Sequence, residues 1–334
     1  MKNLKWLKWV AVAVVAGLAI YGVVKDLIRI SNMDSVSYNG WLTVDGSRLL
    51  NQHKEEVQLK GVSSHGIQWF GELYNKQSIE KLKEMGANVF RVAMYTNPDD
   101  DGYVTNRELK NKVFELIDAC IELDMYVIVD WHILNDNKPT MYQTDAKEFF
   151  NEVSAKYRGK PNVIYEICNE PNGDADWEND VKGYAEDVIG TIRDNSPNAL
   201  VIVGTPGWSR EMVAVANSPL GFANVVYAVH FYAGSDNITL RNRIDDFREK
   251  GFAVFVSECG MTDASGDGRI YEEAFGRWVD YLEENKISWV YWSFSNKDEA
   301  SAMLRPEYQD GDNLEEFLSE SGLVLKEFLA PKQQ

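Results

Sequence analysis

The sequence of 334 residues predicts an α/β fold, namely a (β/α)8 barrel preceded by a small β-hairpin. From Asn39 onward, strand-like runs alternate with helix-like segments at spacings of roughly 25 to 40 residues, without a Pro-rich or Ser-rich linker. This alternation is typical of a parallel sheet, and eight units suit a closed barrel. An open doubly wound sheet is the alternative. It would usually bring a Gly-rich turn after the first strand, which the segment Gly61 to Gly66 lacks.

The hairpin is predicted within Tyr38–Lys60, around an Asp45-Gly46 turn, where it would cap the barrel floor. The eight predicted strands are short runs rich in β-branched and aromatic residues. In chain order they are Val57–Val62, Asn88–Ala93, Tyr126–Asp130, Val163–Ile167, Leu200–Val203, Val225–Val229, Ala253–Val256 and Ser288–Trp292.

The segments between these strands have apolar residues three and four positions apart, which indicates helices with one buried face. They are Ser78–Gly86, Glu108–Leu123, Asp145–Tyr157, Asp180–Asn195, Leu240–Lys250 and Tyr271–Glu284. A last helix, Leu314–Leu329, is predicted to close the barrel.

The N-terminus carries the pattern of an export segment. Lys2, Lys5 and Lys8 precede a 16-residue apolar run, Trp9–Val24. A spanning helix needs about 20 apolar residues, which the run approaches if the preceding Trp and Leu are included. Because no small-residue cleavage site follows, residues 1–37 are predicted as an uncleaved signal anchor with a short tether, in preference to a cleaved signal peptide. Residues 38–334 would then form one domain on the outer face of the membrane.

The composition, 45% apolar and 26% charged, is ordinary for a globular protein. The formal net charge is −18, and no cluster of Lys and Arg follows the first 30 residues. Nucleic acid is therefore disfavoured as a partner, because phosphate contacts need a basic face. A neutral polymer is compatible with this charge.

Neither a metal site nor a disulfide framework is predicted. The three cysteines, Cys120, Cys168 and Cys259, are odd in number and lack CxxC spacing, so they are interpreted as buried thiols. The four histidines form no HxH or HExxH pattern, and His53 lies in the predicted hairpin. No cofactor is expected.

The carboxyl ends of barrel strands surround the site in this fold. The predicted strands all bring polar or aromatic residues to that rim, which chance explains poorly. These residues are His65, Arg91, Asp130, His132, Asn169, Glu170, Trp208, His230, Tyr232, Glu258 and Trp292. Trp69, Trp208 and Trp292 would be core residues in most proteins, but three near predicted strand ends are interpreted as stacking faces for pyranose rings.

Glu170 and Glu258 each end a buried strand-like run just before a Pro or Gly turn. A carboxylate in such a place is costly unless it is used or paired. Two of them in one barrel match the acid and the nucleophile or base that cleave a glycosidic bond. Two buried structural salt bridges are the alternative interpretation.

Seven motifs together make the chain similar to a known family. They are Gly61–Trp69, Phe90–Tyr95, Val129–His132, Asn169–Pro171, His230–Tyr232, Val256–Glu258 and Trp292–Lys297. With them, the chain from Tyr38 to Leu329 resembles the endo-β-1,4-glucanases of glycoside hydrolase family five, in the bacterial subgroup typified by Bacillus cellulases.

The resemblance implies a retaining mechanism with Glu170 as acid/base and Glu258 as nucleophile. Five further residues would form the supporting shell: Arg91, His132, Asn169, His230 and Tyr232. Seven would line the glucan cleft: His65, Trp69, Tyr95, Trp208, Trp292, Lys297 and Glu299. Cys259 stands where relatives usually carry a bulky aromatic residue, and Cys168 stands where they commonly carry Phe or Ala, but neither replaces a catalytic group.

Three expectations about geometry and charge follow. The two carboxyl groups should lie about 5 Å apart, as in retaining enzymes. The pKa of Glu170 should be raised, since an acid must hold its proton near neutral pH. Glu258 should stay ionised through contacts with Arg91 and Tyr232.

The leading hypothesis is thus an endoglucanase that acts on cellulose-like β-1,4-glucan, secreted or tethered outside the cell, and monomeric. A mannanase, xyloglucanase or mixed-linkage glucanase of the same fold is the nearest alternative, because loop details decide the substrate. From another class, the chain could be a catalytically silent surface protein that binds glucan.

Overall fold

The computed structural model describes residues 34–330 of the chain. The predicted anchor run, Trp9–Val24, lies outside the described residues. Within residues 34–330, the helices are all too short or too polar to cross a membrane.

Eight parallel strands form a closed barrel, which confirms the predicted fold. The strands are β3 (Lys60–Ser64), β4 (Val89–Tyr95), β5 (Tyr126–His132), β6 (Val163–Glu166), β7 (Val201–Val203), β8 (Val225–Tyr232), β9 (Val254–Gly260) and β10 (Trp289–Phe294). Each strand pairs with the next in chain order, and β10 pairs with β3 to close the ring. Three strands therefore lie between β3 and β7 in either direction around the ring, so these two strands are on opposite sides of the barrel.

Within the described residues, seven longer helices cover the outside of the barrel. They are α1 (Lys76–Glu84), α2 (Leu109–Glu122), α3 (Gln143–Lys156), α4 (Lys182–Asn195), α5 (Ile238–Glu249), α6 (Glu272–Glu284) and α7 (Glu320–Leu329). Shorter helical turns occur at Val36–Asn39, Ile67–Phe70, Gly71–Leu73, Pro98–Asp100, Pro139–Tyr142, Trp177–Val181, Pro206–Ser209, Val213–Asn217 and Leu314–Phe317.

The predicted closing helix is divided in two. A 3-10 turn, Leu314–Phe317, precedes α7 instead of continuing into it. Leu318 is extended, and the Ser319 side chain accepts the backbone N–H of Gly322 as an N-cap. Serine is favoured at this position because its oxygen satisfies an N–H that has no partner within the helix.

The barrel floor is closed by the hairpin of β1 (Thr43–Asp45) and β2 (Arg48–Leu50), as predicted. Leu42 and Leu49 pack in one buried cluster with Val89, Tyr126 and other residues at the amino ends of the strands. Residues just before the hairpin join this floor as well: Val36 is buried in the same cluster, and Ser37 donates to Asp124.

The main core lies between the barrel and the helices. Trp131, Trp177, Trp278 and Trp289 are among its fully buried side chains. Fully burying a large apolar side chain contributes about 1.5–3 kcal/mol, so this layer holds the strand ends rigidly. Since the hairpin closes the floor, the opposite end of the barrel is where a ligand can enter.

Candidate active site

A cleft of about 580 Å³ opens at the carboxyl ends of the strands. All seven residues predicted to bind glucan line it: His65, Trp69, Tyr95, Trp208, Trp292, Lys297 and Glu299. So do four of the predicted catalytic set: His132, Glu170, Tyr232 and Glu258. The other three, Arg91, Asn169 and His230, are buried and bonded to members of that set. The structure thus brings all fourteen together, while their roles stay predictions.

The two glutamates face each other across the cleft floor. One carboxylate oxygen of Glu170 lies within 4.8 Å of one carboxylate oxygen of Glu258. Inverting glycosidases keep their carboxyl groups about 6.5–9.5 Å apart to admit a water, whereas retaining enzymes keep them about 5–5.5 Å apart. The spacing here leaves room for direct attack on a sugar carbon between the two groups.

Arg91 on β4 connects the acids beneath the cleft. This fully buried guanidinium lies 2.7 Å from Glu166, 3.0 Å from Asp130 and 3.2 Å from Glu258. It also donates to the Asn169 side-chain oxygen at 2.7 Å. Burial opposes its charge, but the three carboxylates outweigh burial and raise its pKa. Arg91 is therefore a permanent cation that orients these side chains.

Glu258 has the predicted partners. Tyr232 donates to one carboxylate oxygen at 2.8 Å, and Arg91 donates to the other at 3.2 Å. Burial and the neighbouring charge of Glu170 nevertheless raise the pKa of Glu258. The repulsion between two carboxylates in one buried site thus opposes the effect of Arg91, which favours the ionised form.

The expectation for Glu170 is wrong in direction. Nδ1 of His230 lies 2.7 Å from one of its carboxylate oxygens. Burial alone would raise the pKa of Glu170, but the hydrogen bond and charge of His230 outweigh burial and lower it. Burial likewise opposes the charge of His230, and its contacts with Glu166 and Glu170 raise its pKa to about 9. The sequence could not reveal that this histidine lies against Glu170.

A second chain of bonds orients Asn169. Its side-chain oxygen accepts from Arg91, so its amide N–H groups donate to the backbone oxygen of Ile133 at 3.1 Å and to Nε2 of His132 at 3.3 Å. His132 must then carry its proton on Nδ1, which lies 2.6 Å from Asp130. Burial and the charge of Arg91 lower the pKa of His132 to about 4, so the ring is neutral.

Two tryptophans offer exposed faces on opposite sides of the barrel. Trp69, after β3, is 42% exposed, and Trp208, after β7, is 47% exposed. Trp208 holds a left-handed backbone with φ of 58°, which is uncommon for a residue with a large side chain. Its N–H donates to the backbone oxygen of Pro171, beside Glu170. Trp292 is only 6% exposed and lies parallel to the His132 ring, so it offers much less surface.

The remaining predicted cleft residues form a polar edge. Lys297 and Glu299 pair at 2.6 Å, and Nε2 of His65 lies 3.8 Å from Glu299. Burial, with the charge of Lys297, lowers the pKa of His65 to about 3. Its Nδ1 accepts the backbone N–H of Gly66, which places the ring proton on Nε2.

Several functional neighbours are absent from the predicted set. Glu166 and Ser257 lie beneath the cleft in the Arg91 and His230 network. Asp130 is among the predicted rim residues, but no catalytic or binding role is predicted for it. A signal for Glu166 existed, because a charged residue inside the apolar strand Val163–Glu166 requires a buried partner. Cleft residues contributed by loops gave no comparable signal; they are Asp100, Leu134, Asn135, Arg210 and the segment 264–266.

Among residues 34–330, one group of three has the side-chain types and proximity of metal ligands: Glu170, His230 and Glu258. The same atoms already accept or donate hydrogen bonds to one another, to Arg91 and to Tyr232. A divalent cation would bind only by displacing those bonds. The group is therefore better suited to moving protons than to holding a metal.

The two cysteines near the catalytic positions are buried free thiols. Cys168 donates to the backbone oxygen of Gly204 at 3.6 Å, and Cys259 donates to that of Val290 at 3.3 Å. Burial raises the pKa of both thiols, which keeps them protonated and inert as nucleophiles.

Residues 50–298 match the family model described as Cellulase (glycosyl hydrolase family 5). The chain is 46% identical over 294 residues to endoglucanase N of Pectobacterium atrosepticum, covering 87% of this chain and 66% of that protein. It is 44% identical over 295 residues to an endoglucanase of Clostridium saccharobutylicum, covering 87% of this chain and 65% of that protein. The chain thus spans just under two-thirds of the length of these relatives.

Solved structures show the same likeness. Cellulase Cel5C_n superposes with a TM-score of 0.86 at 41% identity, covering 89% of this chain and 94% of that one. The catalytic domain of Thermobifida fusca endoglucanase Cel5A superposes with a TM-score of 0.82 at 36% identity, covering 88% of this chain and 98% of that domain.

Proposed function

Because the chain belongs to glycoside hydrolase family 5, we propose that it is a retaining endo-β-1,4-glucanase that hydrolyses internal bonds of cellulose-like glucans. The observation that carries the proposal is the spacing of Glu170 and Glu258, within 4.8 Å between carboxylate oxygens. This spacing suits a covalent glycosyl-enzyme intermediate.

In the first step, a Glu258 oxygen attacks the anomeric carbon of the bound sugar, and the glycosidic C–O bond breaks. Arg91 and Tyr232 aim the carboxylate and stabilise its charge. Glu170 transfers a proton to the departing oxygen, so the new chain end leaves as a neutral hydroxyl.

The proton for this step is held by Glu170 and His230 together. Since the pKa of His230 is raised to about 9, the pair carries a proton at neutral pH. The 2.7 Å contact lets that proton move from Nδ1 to the carboxylate as the leaving oxygen becomes basic. Glu170 therefore serves as an acid although its own pKa is lowered.

In the second step, Glu170 takes a proton from a water molecule, and the water oxygen attacks the anomeric carbon. The bond to Glu258 breaks, and the sugar leaves with its original β configuration. The Asn169 side-chain oxygen accepts from Arg91 and has a second lone pair, which we propose accepts the 2-hydroxyl of the sugar, a contact that strengthens in the transition state.

The cleft supports binding within a glucan chain. Trp69 and Trp208 lie on opposite sides of the barrel with the two glutamates between them, so a chain can stack on both sides of the cleavage point. Flat apolar faces suit the C–H surfaces of unsubstituted glucose rings.

The location proposed for this activity is outside the cell. Lys2, Lys5 and Lys8 ahead of the apolar run Trp9–Val24 support an uncleaved anchor, with a catalytic domain in residues 38–334 facing outward. We also propose that the protein is a monomer.

The test is reducing-sugar release from carboxymethyl cellulose, barley β-glucan, galactomannan and xylan by the full chain and its Glu258→Gln variant. Activity on the glucans that disappears in the variant is the expected result. Proton NMR of the first products should show the β-anomer. Activity confined to mannan would overturn the substrate, and an initial α-anomer would overturn the retaining mechanism.

A further inference from the structure

Four side chains form an unbroken line beneath the cleft. Glu166 lies 2.7 Å from the Ser257 hydroxyl, which lies 3.0 Å from Nε2 of His230, and Nδ1 of His230 lies 2.7 Å from Glu170. Glu166 is on β6, Ser257 on β9 and His230 on β8. All four are less than 9% exposed, so water does not compete strongly for these bonds.

The direction of each hydrogen bond follows from the chemistry of the groups. Glu166 is an ionised acceptor, because Arg91 and His230 outweigh its burial and lower its pKa to about 2. Ser257 has one hydroxyl hydrogen and donates it to Glu166. The Ser257 oxygen can therefore only accept from His230, so Nε2 must carry a hydrogen.

With Nε2 protonated, one further proton lies in the bond between His230 and Glu170. It resides either on Nδ1, beside a carboxylate, or on Glu170, beside a neutral ring. A ring protonated on Nδ1 and bare on Nε2 would have nothing to donate to Ser257. The Glu166 and Ser257 side chains thus select the neutral tautomer with a bare Nδ1, which is the form that remains after the protonated ring passes its Nδ1 proton to Glu170.

Side chains other than Glu166 and Glu170 also influence the charge of His230. Arg91 on β4 and Arg210 after β7 contribute positive charge, and the Arg210 guanidinium donates to the backbone oxygen of His230. Glu258 on β9 contributes negative charge, burial raises the pKa of the Asp130 carboxyl group on β5, and His132 on β5 is neutral.

We propose that Glu166, acting through Ser257, is a positioning residue that fixes the His230 tautomer and keeps a proton available to Glu170 at alkaline pH. The inference rests on the proposed function of Glu170 as the acid. During a turnover, the proton moves from Nδ1 to Glu170 and then to the glycosidic oxygen. The attacking water later returns a proton to Glu170, and from there it returns to Nδ1, so the imidazole need not rotate.

The direct test is the pH dependence of kcat/KM for Ser257→Ala. Without the hydroxyl, Nε2–H loses its acceptor and the protonated ring is less stable. The upper pH limit of activity should fall by about one pH unit, the usual effect of losing a hydrogen bond to a charged group. Ser257→Thr, which keeps the hydroxyl, should retain the wild-type limit.

Ser63→Ala is the matched control, because Ser63 is a buried serine beside Arg91 on β3 with no hydrogen bond to His230. Its upper pH limit should not move. If Ser257→Ala loses activity equally at every pH and its upper pH limit is unchanged, Ser257 has only a structural role and the proposal is wrong. An equal shift in Ser63→Ala would also overturn the proposal.

A second measurement separates this inference from the proposed function. In the wild-type chain labelled with ¹⁵N-histidine, NMR of the four imidazoles identifies the His230 ring by its disappearance in His230→Gln. A ring with Nε2 protonated at every pH up to unfolding is the expected result. A ring with a bare Nε2 would refute the positioning role of Glu166 and Ser257 even if glucan is cleaved. An enzyme without activity on any glucan would refute the proposed function, and the NMR result would still decide whether Glu166 and Ser257 fix the His230 tautomer.

Discussion

Nδ1 of His230 and the carboxylate of Glu170 lie 2.7 Å apart, although 60 positions separate them in the chain. In the proposed mechanism, this contact makes the acid a two-residue unit, in which the histidine stores the proton and the glutamate delivers it. The same contact lowers the pKa of the buried Glu170 carboxyl group and raises that of His230.

Glu170→Ala should separate proton donation from nucleophilic attack. On β-glucan, whose leaving group needs a proton, kcat/KM should fall by about 10²–10⁴-fold. On 2,4-dinitrophenyl cellobioside, whose leaving group departs as an anion, formation of the glycosyl-enzyme should be nearly unaffected in burst-phase kinetics. Equal losses on both substrates would contradict the acid role.

Trp69→Ala and Trp208→Ala should each weaken binding of cello-oligosaccharides. Loss of one stacked aromatic face is expected to cost about 0.5–1.5 kcal/mol beyond its area, which is roughly a two- to twelve-fold rise in Kd. Calorimetry in the Glu258→Gln background measures this without hydrolysis. Met141→Ala is the control, because Met141 is 55% exposed and lies outside the cleft. An unchanged Kd in both tryptophan variants would argue against stacking.

Arg91→Met should destabilise the fold strongly, because it leaves Asp130, Glu166 and Glu258 buried beside one another without their cation. Removing one partner of a buried ion pair typically costs about 3–5 kcal/mol. Urea unfolding at pH 7 measures the loss. Arg107→Met is the control: its pair with Asp145 is partly exposed to solvent and should contribute less than about 1 kcal/mol. Similar losses in the two variants would contradict the importance of the buried network.

His65 should make the wild type sensitive to acid. Its pKa is lowered to about 3 in the folded chain from 6.5, so below pH 6.5 the unfolded chain takes up a proton that the folded chain refuses. The free energy of unfolding should therefore fall as the pH drops from 6.5 toward 3, by up to about 1.4 kcal/mol per pH unit from this group.

His65→Asn is the comparison, since an Asn oxygen can accept the Gly66 N–H in place of Nδ1. Urea unfolding of both proteins across that pH range should give a shallower slope for the variant. Parallel slopes would show that His65 is not the group that titrates.

The order of secondary structure was predictable because its signals are local. Runs of β-branched residues gave all eight barrel strands, and β1 with β2 formed at the predicted hairpin turn. The last helix was misplaced because the N-cap role of Ser319 outweighed an apolar pattern that extends across it.

The sequence by itself determined the barrel and which side chains reach its rim, because barrel closure places the ends of all eight strands around one cleft. Only the tertiary structure decided how those side chains share protons. The Ser257 bond to Glu166 joins residues 91 positions apart, and the Arg91 bond to Glu258 joins residues 167 positions apart. The pKa directions of Glu170 and Glu258 therefore depend on distances of a few ångströms that no local pattern encodes.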